Sequence, residues 1–234
     1  MYKRVLIKIS GEQLAGKQEG GIDPKVIRFL AQELKKVADI GGQVVVVVGG
    51  GNIVRGAQIA GQGIQRVTAD HMGMLATLIN ALAMTDIFED HGLKTRCLSN
   101  LHSKQVAETF VHRLAEKHLG RGRTVIVAGG TSRPYFTTDT AAVQLALELR
   151  CEAVLKATKV DGVYDKDPKK FTHANKHAAL SFRKAVADDG VMVMDKAALG
   201  LAMEHKMPVI IFDGMKADNL LKIVEGESVG TKIG

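Results

Sequence analysis

Along this chain, short apolar runs alternate with stretches in which apolar residues recur every three or four positions. The runs at 4–9, 44–48, 95–98, 124–128, 153–157 and 209–212 are mostly continuous Val, Ile and Leu. That is the pattern of strands buried on both faces. The stretch after the first run reads as a well-punctuated helix. Asp23 supplies an N-cap, Pro24 takes the first helical position, Val26, Leu30, Leu34 and Val37 form one stripe, and Gly41 follows the end. Further helices are expected at 70–90 and 102–119, and from starts near Thr138 and Asp195. The one at 102–119 would bury Val106, Phe110 and Leu114 and stop at Gly120. The segment 164–180 is polar and reads as a surface excursion. This alternation predicts an α/β fold, a three-layer αβα sandwich around a mostly parallel sheet, over a single domain 1–234. The helix at 70–90 is apolar on most sides, with Met72, Met74, Leu75, Leu78, Ile79, Leu82, Met84 and Ile87. Such a helix lies in a deep core or at a subunit interface, and the interface reading makes a homo-oligomer expected.

With 234 residues the chain can bury a core without staples. The longest apolar run, 44–48, is far too short to span a membrane, and the N-terminus has no signal-peptide pattern, so a soluble cytoplasmic protein with no membrane partner is expected. Cys97 and Cys151 form no CxxC pair or metal spacing, which suits two reduced thiols. The net charge of +7 raises the question of nucleic acid, but the charge is spread out, there is no Trp, and only three Tyr are present. A stacking platform for single strands is therefore poorly supplied, and a small anionic ligand fits the balance as well as a polynucleotide.

Ligands of parallel α/β sheets bind at the carboxyl ends of strands, and the glycines gather there: "ISG" after the first run, "GGGN" after the second, "AGGT" after the fourth. "VVVVVGGGNIVRG" lacks the lysine of a Walker loop, and Val54 takes the third glycine position of a dinucleotide fingerprint. What remains is a turn of backbone N–H groups that could cradle an anion, or a plain tight turn; the segment alone leaves both open. The lysines are more informative. Lys8 interrupts "VLIKIS" and Lys156 ends "AVLKA". A lysine in a buried strand is costly unless an anion satisfies it, so two at strand ends beside glycine turns suit a transferring phosphoryl group. In "YFTTDTAA", Thr137, Thr138 and Asp139 open a helix, where Asp139 could orient both lysines. Other candidates fall. "SFRK" at 181–184 has no companion motif, so Ser181 reads as a helix cap; His173 and His177 lack a third ligand; "DGVYDKDP" fails the calcium-loop spacing.

Taken together, "KRVLIKISGE", "GIDP", "VVGGGNIVRG", "DHMGMLATLINALAM", "YFTTDTAA", "LKATKVDGVYDKDP" and "VMD" resemble bacterial UMP kinases of the amino acid kinase superfamily, in that family's order and near its spacing. The resemblance implies an amino acid kinase-like fold and transfer of the γ-phosphoryl of ATP to UMP, giving UDP and ADP in pyrimidine nucleotide biosynthesis. It implies a UMP side mainly in 1–150 and an ATP side mainly in 151–234 plus the first strand. Lys8, Asp139 and Lys156 would be catalytic, with Asp195 organising the same network. ATP would be bound by Lys8, Ser10, Gly11, Gly51, Arg55, Thr158, Tyr164 and Asp167. UMP would be bound by Gly50, Asp70, Thr131, Ser132, Arg133, Pro134, Tyr135, Phe136, Thr137 and Thr138, with Asp70 on the ribose hydroxyls. Gly16, Lys17, Gln18, Glu19, Gly20 and Gly21 match the segment tied in that family to activation by GTP. The resemblance further implies a homohexamer, inhibition by UTP, Mg²⁺ carried by ATP with no metal site of the protein's own, and no requirement for nucleic acid. One departure stands out: the family usually reads G-T-G-N-P where this chain has "GTSRP", so Ser132 and Arg133 replace Gly and Asn. Arg is a cation with donors only, where Asn bonds both ways, which bears on contacts to uracil, to a neighbouring subunit, or on the response to UTP. The rival expectations are another kinase of the superfamily acting on a carboxylate, carbamate or other small phosphate, and a nucleotide-sensing regulator.

Overall fold

The computed structural model describes residues 1–54, 59, 63–166, 171, 173–187 and 194–234. In chain order the elements are β1 (Arg4–Ile9), α1 (Gly11–Leu14), α2 (Pro24–Asp39), β2 (Gln43–Val48), α3 (Arg66–Asp90), β3 (Thr95–Ser99), β4 (Glu108–Thr109), α4 (His112–Leu119), β5 (Thr124–Ala128), α5 (Thr138–Glu148) and β6 (Ala153–Thr158). They continue with β7 (Val163–Tyr164), β8 (Lys176–His177), β9 (Ala179–Leu180), α6 (Phe182–Ala187), α7 (Lys196–Glu204), β10 (Val209–Asp213), α8 (Asn219–Glu225) and β11 (Thr231–Ile233). The main sheet runs β4-β3-β5-β2-β1-β6-β10-β11-β9, with β7 and β8 forming a separate ribbon. All its pairs are parallel except β10 with β11.

Strand alternation sorts the core into two layers. Val5, Ile7 and Ile9, with Val44, Val46 and Val48, pack under α2, α3 and α8. Leu6, Val45, Val47 and Val154 face the other way, toward α4, α5 and α7. Because side chains alternate, Lys8 lies in phase with Leu6 and Lys156 with Val154, on the α5 side. The α2 punctuation is as expected: Asp23 Oδ1 accepts from the Lys25 N–H at 2.9 Å, and Gly41 has φ +82°. Thr137 and Asp195 cap α5 and α7 through Asp139 N–H and Ala198 N–H, and Ser181 Oγ accepts from Lys184 N–H at 3.3 Å ahead of α6.

Two expected helices need correction. The segment expected as one helix at 102–119 is helical only from His112. Before it, Ser103 O closes a turn onto the Val106 and Ala107 N–H groups, and Glu108–Thr109 joins the sheet edge beside β3. Val106, expected inside, is 53% exposed, and Phe110 and Leu114 are half-buried. Sheet-edge pairing outcompeted the helical period. The helix expected at 70–90 begins four residues earlier, at Arg66.

By length and mean hydropathy α3 could cross a membrane. Its position makes it a core helix instead: Met84 and Phe88 are fully buried, and Thr77 and Asn80 bond to the turns that end β5 and β2. Asn80 and the turn residue Asn52 exchange two amide hydrogen bonds, at 2.7 and 2.9 Å. Asn80 also donates to Gly49 O, and Asn52 to Gly21 O, both at 2.7 Å. This pair ties the glycine turn after β2 to α3 and to the segment ending at Gly21. Asn80→Ala should cost about 2–4 kcal/mol, since it strands Asn52 Oδ1 and Gly49 O in the core. A urea titration should show a lower midpoint at an unchanged slope.

Cys97 and Cys151 are buried and free. Burial pushes their thiols up to about 11 and about 12. Thiol reagents at pH 8 should therefore label both only on unfolding; labelling of the native protein within minutes would contradict this placement.

Candidate active site

β1 and β6 are parallel neighbours in a register that pairs Lys8 directly with Lys156. Two ammoniums side by side in a sheet interior repel, and the first turn of α5 resolves this. Asp139 Oδ1 meets Lys8 Nζ at 2.8 Å and its Oδ2 accepts from Lys156 Nζ at 2.6 Å. All three side chains are at most 15% exposed. Burial pushes the Asp139 carboxyl up, but the two ammoniums outweigh it, so its pKa lies below the usual carboxylate value. For Lys156, burial together with the Lys8 charge outweighs Asp139, and its pKa lies below the usual lysine value. Asp195 extends the network. Its carboxylate accepts from Thr137 Oγ1 and, at 3.1 Å, from Thr140 Oγ1, so the starts of α5 and α7 are tied together.

The turns after β1 and β2 meet beside this triad. A Cβ on Gly11 would lie 2.7 Å from Gly49 O and Gly51 N and 2.6 Å from Asn52 Oδ1, so only glycine permits this approach. Gly50 is pressed as closely onto α3, where a Cβ would fall 2.6 Å from Gly73 O and 2.8 Å from the Ala76 methyl. Gly50→Ala should therefore push the turn off α3, lower the melting temperature by several degrees and raise the KM for any ligand between them, as substrate titrations with a thermal melt would show.

A cavity of about 220 Å³ opens beyond Gly50. Of the residues expected to bind UMP, it brings together Gly50, Asp70, Thr131, Phe136, Thr137 and Thr138. Ser132, Arg133, Pro134 and Tyr135 lie on the adjoining loop outside its lining; Arg133 and Tyr135 are exposed, and Ser132 and Tyr135 have φ +58° and +70°. The cavity also includes Arg66, Gly73, Met74 and Thr77, which the sequence reading missed. Arg66, Asp70, Gly73 and Thr77 recur at helical spacing, so extending the Asp70 face one turn back and two turns forward would have found them. Thr77 Oγ1 accepts from Gly129 N–H at 2.8 Å and so joins α3 to the turn after β5.

On the expected ATP side, Lys8, Ser10, Gly11 and Gly51 converge at the ends of β1 and β2. Thr158 ends β6, donating to Val160 O at 2.6 Å and Phe212 O at 3.1 Å. Tyr164 lies in the excursion after β6, its hydroxyl donating to Asp161 at 2.6 Å. Arg55 and Asp167 lie outside the described residues. In the segment from Gly16 to Gly21, Lys17, Gln18 and Glu19 are exposed, and Gly21 is held by Asn52.

The arrangement is a pair of lysines between a glycine-turned cleft and a cavity of mixed polar and apolar lining, suited to holding two phosphorylated ligands end to end. The model of the amino acid kinase family matches residues 3–213. A protein named uridylate kinase from Dichelobacter nodosus is 47% identical over 230 residues, 98% of this chain and 95% of its own. Another of that name, from Xanthomonas axonopodis pv. citri, is 49% identical over 99% of this chain and 96% of its own. The crystal structure of UMP kinase from Bacillus anthracis superposes with a TM-score of 0.95 at 37% identity, covering 100% of this chain and 96% of that one. The crystal structure of uridylate kinase from Archaeoglobus fulgidus gives 0.76 at 29% identity, covering 98% and 99%. With its sheet order, its glycine turns and this match over most of its length, the chain belongs to the amino acid kinase family.

Proposed function

We propose that this protein transfers the γ-phosphoryl of ATP to UMP, giving UDP and ADP, as a step of pyrimidine nucleotide biosynthesis. The observation that carries the reading is the Lys8–Asp139–Lys156 triad at adjoining strand ends, with the Asp70-lined cavity beside it. The acceptor phosphate is already ionised at neutral pH, so no strong general base is needed. Positioning and charge neutralisation then supply the catalysis, in one in-line step with no covalent enzyme intermediate. Lys8 stabilises the transferring phosphoryl group, Lys156 assists, and Asp139 holds both ammoniums in place. Gly50 and Gly51 let two nucleotides' phosphates approach one turn from its two sides. Ser10, Gly11 and Arg55 complete the triphosphate side, while Thr158, Tyr164 and Asp167 bound the ATP base and ribose. Asp70 takes the UMP ribose, and the loop from Thr131 to Thr138 lines the rest of the acceptor.

ATP-dependent transfer brings a divalent cation, here Mg²⁺. Asp139 already serves two lysines, so the reading has the cation carried by phosphate oxygens. Carried there, it would neutralise part of the phosphate charge beside Lys8 and Lys156.

The reading includes a single domain, a cytoplasmic homohexamer, activation by GTP and inhibition by UTP. Leu75 and Ile79 on the outer face of α3, each about half exposed, support an interface between copies. The bond from Asn52 to Gly21 supports a route from the Gly16–Gly21 segment to the nucleotide turn. An ADP-release assay with UMP, CMP and dUMP, with and without GTP, tests the function. Selective turnover of UMP is expected. Activity on glutamate or aspartate with none on UMP would overturn it.

A further inference from the structure

Asp70 is not a free carboxylate. Arg66, one helical turn earlier on α3, donates from Nε to Oδ1 and Oδ2, both at 2.9 Å. Tyr135 donates its backbone N–H to Oδ2 at 2.8 Å. The guanidinium of Arg66 lies over the Tyr135 ring, 5.3 Å from its centre. Tyr135 adopts a left-handed φ of +70° although it is aromatic and 67% exposed. That conformation is uncommon for a bulky residue and needs its surroundings to hold it. Here Arg66 and Asp70 hold it from both sides, ring and N–H.

As a stabilising ion pair this would count for little, because the Arg66 side chain is 47% exposed. Its geometry has a different consequence. A carboxylate offers about four lone-pair positions. Arg66 and Tyr135 occupy positions on both oxygens, which fixes the plane of the group and leaves the remainder to the cavity that Arg66 and Asp70 both line.

We propose that Arg66 is a positioning residue for the acceptor nucleotide, setting the orientation in which Asp70 meets the ribose hydroxyls. This rests on the reading of Asp70 as the ribose contact. A diol is recognised by two directed hydrogen bonds, so a carboxylate free to rotate loses selectivity for it before it loses chemistry. Arg66 acts through Asp70 and Tyr135, and neither Lys8 nor Lys156 is among the residues lining the cavity.

The test is steady-state kinetics of Arg66→Gln, Arg66→Lys, Tyr135→Ala and Asp70→Asn with UMP and dUMP, alongside thermal melts. Arg66→Gln should raise the KM for UMP about ten-fold, the scale of one charge-assisted hydrogen bond, with kcat and the KM for ATP within about two-fold. Its preference for UMP over dUMP should fall toward that of Asp70→Asn. Arg66→Lys should restore little, because an ammonium lacks the planar fork and the stack, and Tyr135→Ala should fall between. If Asp70→Asn lowers the UMP-to-dUMP preference but Arg66→Gln leaves it intact, the role given to Arg66 is overturned. The same holds if Arg66→Gln changes only the melting temperature or only kcat. If Asp70→Asn itself leaves the preference intact, the ribose reading of Asp70 fails, and this inference with it.

Discussion

Replacing Lys8 by alanine is expected to lower turnover at least ~100-fold, the scale of losing one key donor to the transition state. The expectation follows from the position of Lys8. It sits at the last turn-facing position of β1, in register with Lys156 and 8% exposed as a residue. A buried ammonium in that place shares the Asp139 carboxylate with a second ammonium, so its own charge is only partly balanced there. Charge of the opposite sign, developing on a phosphoryl group between the turns, would balance it. The KM for UMP should move much less than kcat, because Lys8 is assigned to the transferring group and is not among the residues lining the cavity. Near-normal turnover of Lys8→Ala would remove Lys8 from the mechanism.

The second large effect is expected at Asp139, and it should combine activity with stability. Asp139→Asn removes the carboxylate that bonds both lysines, one of which also feels the charge of Asp195. Breaking a buried ion pair by removing one partner costs about 3–5 kcal/mol, and both lysines lose their orientation at once. Turnover should fall at least as far as in Lys8→Ala. The pH dependence separates charge from shape. The Asp139 pKa is lower in the folded protein than its ordinary value. The folded state therefore binds fewer protons than the unfolded state as the carboxylate titrates. The stability that Asp139 contributes is complete above the ordinary carboxylate range and is lost as pH falls through the folded pKa. Denaturant titrations of the wild type and Asp139→Asn should accordingly differ most near neutral pH and converge in acid. A difference that stayed constant into acid would show that the loss came from packing and not from charge.

Much of this was written in local pattern. Continuous Val, Ile and Leu runs mark parallel strands because helices cover both faces of such a sheet, and all six expected runs are strands within a residue at each end. Lys8 and Lys156 were visible because a charge inside such a run demands a partner, and Asp139 because it opens a helix near the right strand ends. What stayed hidden depends on pairing between distant segments. The short strand Glu108–Thr109 exists only because β3 offers it an open edge, and nothing in "SKQVAETFV" announces that. The exchange between Asn52 and Asn80 spans 28 positions and leaves no spacing signature. Arg66 is a different case. Its bond to Asp70 is an i,i+4 pair, readable in principle, but no Ser, Thr, Asp or Asn stands ahead of Arg66 in "GQGIQ", so nothing there announces the helix start.

The central claim is direct passage of a phosphoryl group from ATP to UMP within this site. Rapid quenching of the protein with γ-labelled ATP and UMP, followed by separation of nucleotides from protein, tests it most directly. The account predicts that the label appears in UDP in step with ADP and that none is held on the protein. Label retained on the protein as a phosphoryl-enzyme, or ADP formed with no labelled UDP, would contradict it.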